Sequence, residues 1–121
     1  MTRIAGTALI TGGARRIGRA IVEDLAANGF AVAIHSNSSA DEASALAESI
    51  RKTGGKASVV VADLTDMAAV AGVVEKAERA LGPVSLLVNN ASLFEDDSVL
   101  DFDWPEWDRH FDIHLKAPVL L

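Results

Sequence analysis

Two kinds of segment alternate along the chain: short apolar runs, and longer stretches in which apolar residues recur every three or four positions. The apolar runs lie within residues 6–11, 31–34, 57–62 and 84–88, and each ends at glycine or small polar residues. Short runs that are apolar throughout are typical of strands buried on both faces. The helical spacing covers residues 17–28, 40–53 and 66–82, and returns from residue 103.

This alternation predicts the order βαβαβαβα. Buried strands that are separated by helices form a parallel sheet with right-handed crossovers. We therefore expect an α/β fold, a doubly wound parallel sheet of the Rossmann type, in a single domain over residues 1–121. The last apolar residues are followed by no helix stop signal, and the fourth strand has no successor. The domain is therefore expected to be truncated after the fourth strand and the following helix, and incomplete at its C-terminal end.

Two helix starts carry capping signals. Asp66 is placed to cap the third helix. Asp103 and Glu106 have the spacing of a cap and its third-position acid, and Pro105 fits a first helical turn.

A glycine-rich turn, Thr11-Gly12-Gly13-Ala14-Arg15-Arg16-Ile17-Gly18, joins the first strand to the first helix. Glycines let the backbone approach a diphosphate, whose charge is met by free N–H groups at the helix start. The position between a strand and a helix favours this interpretation over an ordinary tight turn. The predicted cofactor-binding residues of the turn are Gly12, Arg15, Arg16, Ile17 and Gly18.

The end of the second strand reads His35-Ser36-Asn37-Ser38 and contains no acid. NAD sites usually carry an acid here to hold the ribose 2′-hydroxyl, whereas a 2′-phosphate would find hydroxyl and amide donors. Arg15 or Arg16 could also bind that phosphate, although surface solubility is an alternative role for both. NADP(H) is therefore the expected cofactor, with these four residues in its site.

Three features at the right distances resemble the short-chain dehydrogenase/reductase family, over essentially the whole chain. They are the glycine-rich turn, Asp63-Leu64 after the third strand and Asn89-Asn90-Ala91 after the fourth. The resemblance implies that Asp63 and Leu64 lie against the adenine, and that Asn90 and Ala91 line the cofactor. It also implies that Asn89 helps to tie the strands together.

Within that family the chain is most similar to the pteridine reductases. Arg16 stands where most members have glycine, and Ser92 and Phe94 follow the Asn-Asn-Ala motif as they do in that branch. The resemblance implies that Ser92 and Phe94 contact the substrate, with Phe94 stacking on a flat heterocycle. Phe94 could instead anchor the loop, and reductases of other carbonyl substrates also carry an arginine at this position.

The chain departs from the family pattern at two points. His114 stands where the family has a catalytic asparagine; it could hold a water in a proton relay, or pack in a core stripe with Trp107, Phe111 and Pro118. His110 and His114 could share a metal, but a third ligand is missing, so no metal site is predicted. The family's Tyr-x-x-x-Lys pair and its serine are absent, since the chain contains no tyrosine.

Composition narrows the functional classes. A net charge of −6 argues against a nucleic-acid partner, and no apolar run is long enough to span a membrane. The absence of cysteine fits a reducing cytoplasm, the expected location. Acidic residues cluster between Glu95 and Asp112, either as a solvated surface or as a cation-binding patch.

The resemblance implies an NADPH-dependent reductase that transfers a hydride to a carbonyl or pterin-like C=N substrate. We expect a homodimer or homotetramer when the protein is intact, and little cofactor binding or activity from the chain alone. One alternative is a non-catalytic NADP-binding sensor on the same fold, because His114 replaces the family's catalytic asparagine. The other is a natural 121-residue product that acts through its exposed last helix and open sheet edge.

Overall fold

The computed structural model describes residues 6–93 and 98–121. Within them one parallel sheet contains β1 (Thr7–Ile10), β2 (Ala31–Ser36), β3 (Ala57–Val61) and β4 (Val84–Val88). The strand order is β3-β2-β1-β4. The chain winds outward from β1 to β3 and then crosses to the far side of β1. The prediction of a doubly wound α/β fold is confirmed.

Helices cover both faces of this sheet. They are α1 (Arg16–Ala27), α2 (Ala40–Lys52), α3 (Met67–Ala71), α4 (Val73–Leu81), α5 (Trp104–Phe111), a π-helical segment (Asp112–Lys116) and α6 (Ala117–Leu120). In the described parts of the chain, none of them has the length and apolar character that a bilayer crossing requires.

The single helix predicted over residues 66–82 is wrong, because Gly72 separates α3 from α4. The N–H of Gly72 bonds to the Ala69 carbonyl in a tight turn instead of continuing the helix. Glycine is about 1 kcal/mol less favourable than alanine inside a helix, so an interruption costs little at this position. The two predicted caps are confirmed: the Asp66 carboxylate accepts from the Ala68 and Ala69 N–H groups, and Asp103 accepts from Glu106 N–H.

Alternate residues of β1 divide the core in two. Ala8 and Ile10 pack with β2 residues against α1 and α2, whereas Leu9 faces α3, α4 and α6 on the opposite side. Because side chains of a strand alternate between the two faces of its sheet, an apolar run is needed wherever helices cover both. This double burial holds β1 at the centre, and its carboxyl end carries the glycine-rich turn.

Candidate functional site

The segments that follow the four strands meet at one edge of the sheet, because the strands are parallel. The chain reverses its winding direction between β1 and β4, which are neighbours in the sheet. Ligands of open α/β sheets bind outside the carboxyl ends of the strands at such a switch point. The structure therefore brings the predicted motifs of residues 11–18, 35–39, 63–64 and 89–91 to the expected edge.

The glycine-rich turn is folded tightly over the start of α1. A Cβ atom at Gly18 would lie 2.1 Å from the Gly12 carbonyl oxygen, so only glycine fits there. In the described residues, the N–H groups of Arg16, Ile17 and Gly18 have no acceptor. Free N–H groups at the positive end of a 12-residue helix are suited to an anion. The Ile17 side chain, 72% exposed, adds apolar surface beside them.

Arg16 opens α1 in a left-handed conformation, with φ at 53°. For a residue other than glycine this conformation costs about 1–2 kcal/mol. Backbone strain of this kind is concentrated at functional sites, where the role of the side chain outweighs the conformational free energy that the backbone loses. The Arg16 side chain is exposed, and the described part of the chain offers it no ion pair.

Arg15 lies beside Arg16 but already has a partner. Its Nε is 3.3 Å from Glu42 Oε2, at the start of α2, and both side chains are more than half exposed. An exposed pair of this kind contributes about 0–1 kcal/mol, so the guanidinium can exchange the carboxylate for a phosphate. The contact also shows that the turn and the beginning of α2 are neighbours. Glu42 was not predicted, because nothing in the sequence pattern links it to the turn.

The four residues predicted at the end of β2 divide into two pairs. Asn37 and Ser38 are exposed at the ligand edge. His35 and Ser36 are each 2% exposed. The Ser36 hydroxyl accepts from the Ser39 N–H, and both ring nitrogens of His35 bond within the protein. Donors for a ligand at this strand end are thus presented by Asn37 and Ser38.

Asp63 and Leu64 follow β3 at the same edge. The Asp63 carboxylate accepts from the backbone N–H of Thr65 at 2.9 Å and from its hydroxyl at 2.7 Å. These two hydrogen bonds hold the pKa of Asp63 below its usual value, so the side chain is ionised at neutral pH. Leu64 is buried beneath it.

Asn90 joins the β4 end to the glycine-rich turn. Its side-chain N–H groups donate to the carbonyls of Thr11 and Gly12, each at 3.1 Å. The Thr11 hydroxyl in turn accepts from the backbone N–H groups of Asn90 and Ala91. The resemblance implied a tie between strands for Asn89; in the described residues Asn89 is exposed, and the neighbouring asparagine makes these bonds. Thr11 was missed, since a threonine at a strand end carries no distinctive signal.

The structure brings His114 to the substrate-side loop. Its Nε2 accepts from the Leu93 N–H at 3.4 Å and lies 3.1 Å from Ser92 Oγ, so the hydroxyl donates to it. The alternative of a packed core histidine is wrong, because His114 is exposed and Trp107 and Phe111 are each more than 40% exposed. The reason is the π-helical segment, which changes the helical spacing there. Phe94 lies outside the described residues.

A small cavity of about 90 Å³ lies beside His114, between the turn, the β4 end and α6. Thr11, Asn89 and the imidazole contribute to its lining, so it has both the room and the polar partners for ordered water.

The described part of the acidic cluster forms no cation site. Glu95, Asp96 and Asp97 fall outside the described residues, and Asp112 pairs with Lys116 at 3.2 Å. In the ranges 6–93 and 98–121, no three histidine or acidic side chains are grouped as a metal would require.

A doubly wound sheet with a glycine-rich turn at its switch point defines a dinucleotide-binding module. A sequence profile of the short chain dehydrogenase family matches residues 6–121. The chain belongs to the short-chain dehydrogenase/reductase family, as the sequence motifs indicated.

Several relatives align with nearly all of the chain. The structure of FolM alternative dihydrofolate reductase 1 from Brucella canis, complexed with NADP, is 56% identical with a TM-score of 0.91 over 95% of this chain and 46% of that one. A short chain dehydrogenase from Burkholderia cenocepacia J2315, also in complex with NADP, is 37% identical with a TM-score of 0.92, over 98% and 49%. The short-chain dehydrogenase/reductase FrzI of a Cladobotryum species is 39% identical over 94% of this chain and 44% of its own length. The chain thus spans about half the length of the curated relatives it matches.

Proposed function

We propose that the intact protein carrying this chain is an NADP(H)-dependent reductase that transfers a hydride to a carbonyl or to the C=N bond of a pterin-like substrate. The observation that carries the proposal is the composition of the ligand edge. Free N–H groups of the turn, the strained and exposed Arg16, and the acid-free Asn37–Ser38 loop lie together there.

The residues fit the cofactor in separate regions. The turn and the first N–H groups of α1 would hold the diphosphate, because they present donors and a positive helix end. Arg16 would bind the 2′-phosphate beside Asn37 and Ser38. Arg15 would contribute a second guanidinium when its ion pair with Glu42 is broken. Asp63 and Leu64 would lie against the adenine. Asn90 and Ala91 would line the cofactor at its opposite end. NADPH, when bound, supplies the hydride.

The substrate end of the site is formed by Ser92, His114 and, by family resemblance, Phe94. The His114 ring holds the Ser92–Leu93 backbone and hydroxyl, and so shapes the loop that a substrate would contact. A pterin is favoured by the 56% identity to FolM, a protein described as a dihydrofolate reductase. A tyrosine proton donor of the family's kind would have to come from outside these 121 residues.

The direct test is a turnover assay on the intact polypeptide. NADPH consumption would be followed with a dihydropterin, dihydrofolate, a 3-oxoacyl thioester and simple ketones. We expect activity with NADPH and little with NADH, and the highest kcat/KM with a pterin-type substrate. Tight NADPH binding without turnover of any compound would favour the sensor alternative. No binding of either cofactor would contradict the proposal itself.

Replacement of His114 by leucine is expected to affect substrate recognition and not cofactor affinity. Without an acceptor for Leu93 N–H and Ser92 Oγ, the substrate loop loses two hydrogen bonds of about 0.5–1.5 kcal/mol each. We therefore expect kcat/KM to fall about tenfold, mainly through KM, with the NADPH Kd within about threefold. Steady-state kinetics and cofactor titration measure the two effects separately. Leu115→Ala, at the next position of the π-helical segment, is the control, and an unchanged KM in His114→Leu would contradict this role.

We also propose that the intact protein is a homodimer or homotetramer that uses the outer face of α5. Trp104, Trp107 and Phe111 are in ring contact with one another along this helix, yet each is more than 40% exposed. Aromatic residues are enriched in interface cores, and an exposed row of them is unusual for a free surface. Light scattering of the intact protein and of Trp107→Glu tests it: we expect the substitution to shift the oligomer toward monomer.

A further inference from the structure

His35 is buried beneath the ligand edge of the sheet, and both of its ring nitrogens have partners within the protein. It is the second-to-last residue of β2, and its side chain is 2% exposed. Two hydrogen bonds of its ring and one of its backbone carbonyl connect it to neighbouring segments. Nδ1 accepts from the Gly12 N–H at 3.0 Å, and Nε2 lies 2.8 Å from the Ala62 carbonyl oxygen, to which it donates. The His35 backbone carbonyl accepts from the Gly13 N–H at 3.0 Å. This residue therefore connects the turn after β1 with the end of β3.

These bonds decide which amides of the turn are offered to a ligand. Gly12 and Gly13 each direct their N–H at His35, so these two amides are not offered to a ligand, whereas those of Arg16, Ile17 and Gly18 have no acceptor in the described residues. They also determine where the turn leaves β1. Gly12 is in the left-handed region with φ at 62°, and its carbonyl lies where a Cβ of Gly18 would be. A shift of Gly12 would therefore displace the first turn of α1.

We propose that His35 is a positioning residue for the diphosphate-binding turn, acting through Gly12, and that it is not a ligand of the 2′-phosphate. This inference rests on the proposed cofactor function. It predicts a specific effect on cofactor binding. The diphosphate is common to NADPH and NADH, so loss of His35 must weaken the binding of both cofactors equally. A direct contact to the 2′-phosphate would weaken NADPH alone.

The arrangement requires a neutral imidazole, because protonation would place a second N–H opposite the Gly12 N–H. Burial lowers the pKa of His35, and the bond to the Ala62 carbonyl opposes this in part. The ionisable side chains of the adjoining turn and strand end, Arg15, Arg16 and Asp63, are exposed. The charged side chains of α1, α2 and α4, the helices that contact β2, are exposed as well. The unfolded chain therefore binds the proton more readily than the folded one. The stability from His35 is complete above its unfolded pKa of about 6.5 and is lost as the pH falls toward the folded value.

Three substitutions of His35 separate the two bonds of the ring. Asparagine keeps an acceptor near the Nδ1 position, glutamine keeps a donor near the Nε2 position, and leucine removes both. On the intact protein we would measure the Kd of NADPH and of NADH, and the hydrogen exchange of the Gly12 amide by NMR. Val70→Ala, in the core between α3, α4 and the same face of the sheet, controls for lost stability alone.

We expect His35→Leu and His35→Gln to raise both Kd values about tenfold or more and to speed exchange at Gly12. We expect His35→Asn to restore both Kd values to within about threefold of the wild type. The unfolding free energy of the wild type should fall relative to His35→Asn between pH 7.5 and 5. Loss of NADPH affinity alone, or unchanged exchange of Gly12 in His35→Leu, would overturn the proposal. If the wild type binds neither cofactor, the proposed function fails, and the exchange measurement still tests the link between His35 and Gly12.

Discussion

Replacement of Arg16 by glutamate is expected to weaken NADPH binding about 100-fold, while NADH binding changes by less than about threefold. A charge-assisted hydrogen bond to a phosphate contributes about 1.5–3 kcal/mol, and each 1.4 kcal/mol is tenfold in affinity. The introduced carboxylate also repels the 2′-phosphate, a group that NADH lacks. Isothermal titration of the intact protein with both cofactors measures the difference directly.

Two further substitutions make the Arg16 experiment specific. Arg79→Glu changes the net charge by the same amount on the exposed face of α4, and we expect it to leave the preference between cofactors unchanged. Arg16→Gly removes the guanidinium but suits the left-handed backbone, so NADPH affinity should fall about tenfold without loss of unfolding free energy. Equal loss of NADPH and NADH in Arg16→Glu would disprove the 2′-phosphate role.

Replacement of Thr11 by valine is expected to lower the free energy of unfolding by about 2 kcal/mol. The Thr11 hydroxyl accepts from Asn90 N–H at 3.0 Å and from Ala91 N–H at 2.9 Å, and it lies 3.4 Å from the Val88 carbonyl. Valine has the same shape but accepts no hydrogen bond. The Ala91 N–H is left without an acceptor, which costs about 1–3 kcal/mol when the group is buried, whereas the Asn90 N–H keeps the Val88 carbonyl at 3.1 Å. Chemical denaturation of the intact protein measures the change.

Thr11→Ser is the matched control, because it keeps the hydroxyl and removes only a methyl group. We expect it to cost about 1 kcal/mol, the value of one buried methyl. The difference between the two variants then reports the hydrogen bonds alone. If valine is tolerated as well as serine, the Thr11 hydroxyl does not hold the β4 end to the turn.

Local pattern was sufficient for most of the fold. The apolar run around Leu9 predicted a strand covered on both sides, and Leu9 indeed faces one core while Ile10 faces the other. Asp66 and Asp103 were predicted as caps for the same reason, since capping involves neighbours within three residues. The interruption at Gly72 was missed because a single glycine in a helical pattern is compatible with either outcome.

The contacts at the site were predicted less completely than the fold. His35 was expected at the ligand and is buried; Asn89 was expected to tie the strands, and Asn90 does so. Each outcome depends on strand register. Ile10 pairs with Ile34 in β2, and His35 pairs with Val60 in β3, which places Gly12 and Ala62 beside the His35 ring. A shift by one residue would turn the ring to the other face.

The amino-acid sequence by itself determined the elements, their parallel order, the family and the segments that meet at the ligand edge. These properties follow from hydrophobic periodicity and short motifs, which act over a few residues. Only the tertiary structure decided that His35 supports the turn, that Arg15 is paired and Arg16 is strained, and that His114 holds the Ser92 loop. Those contacts join residues of different elements, and their partners are selected by register, burial and the geometry of the π-helical segment.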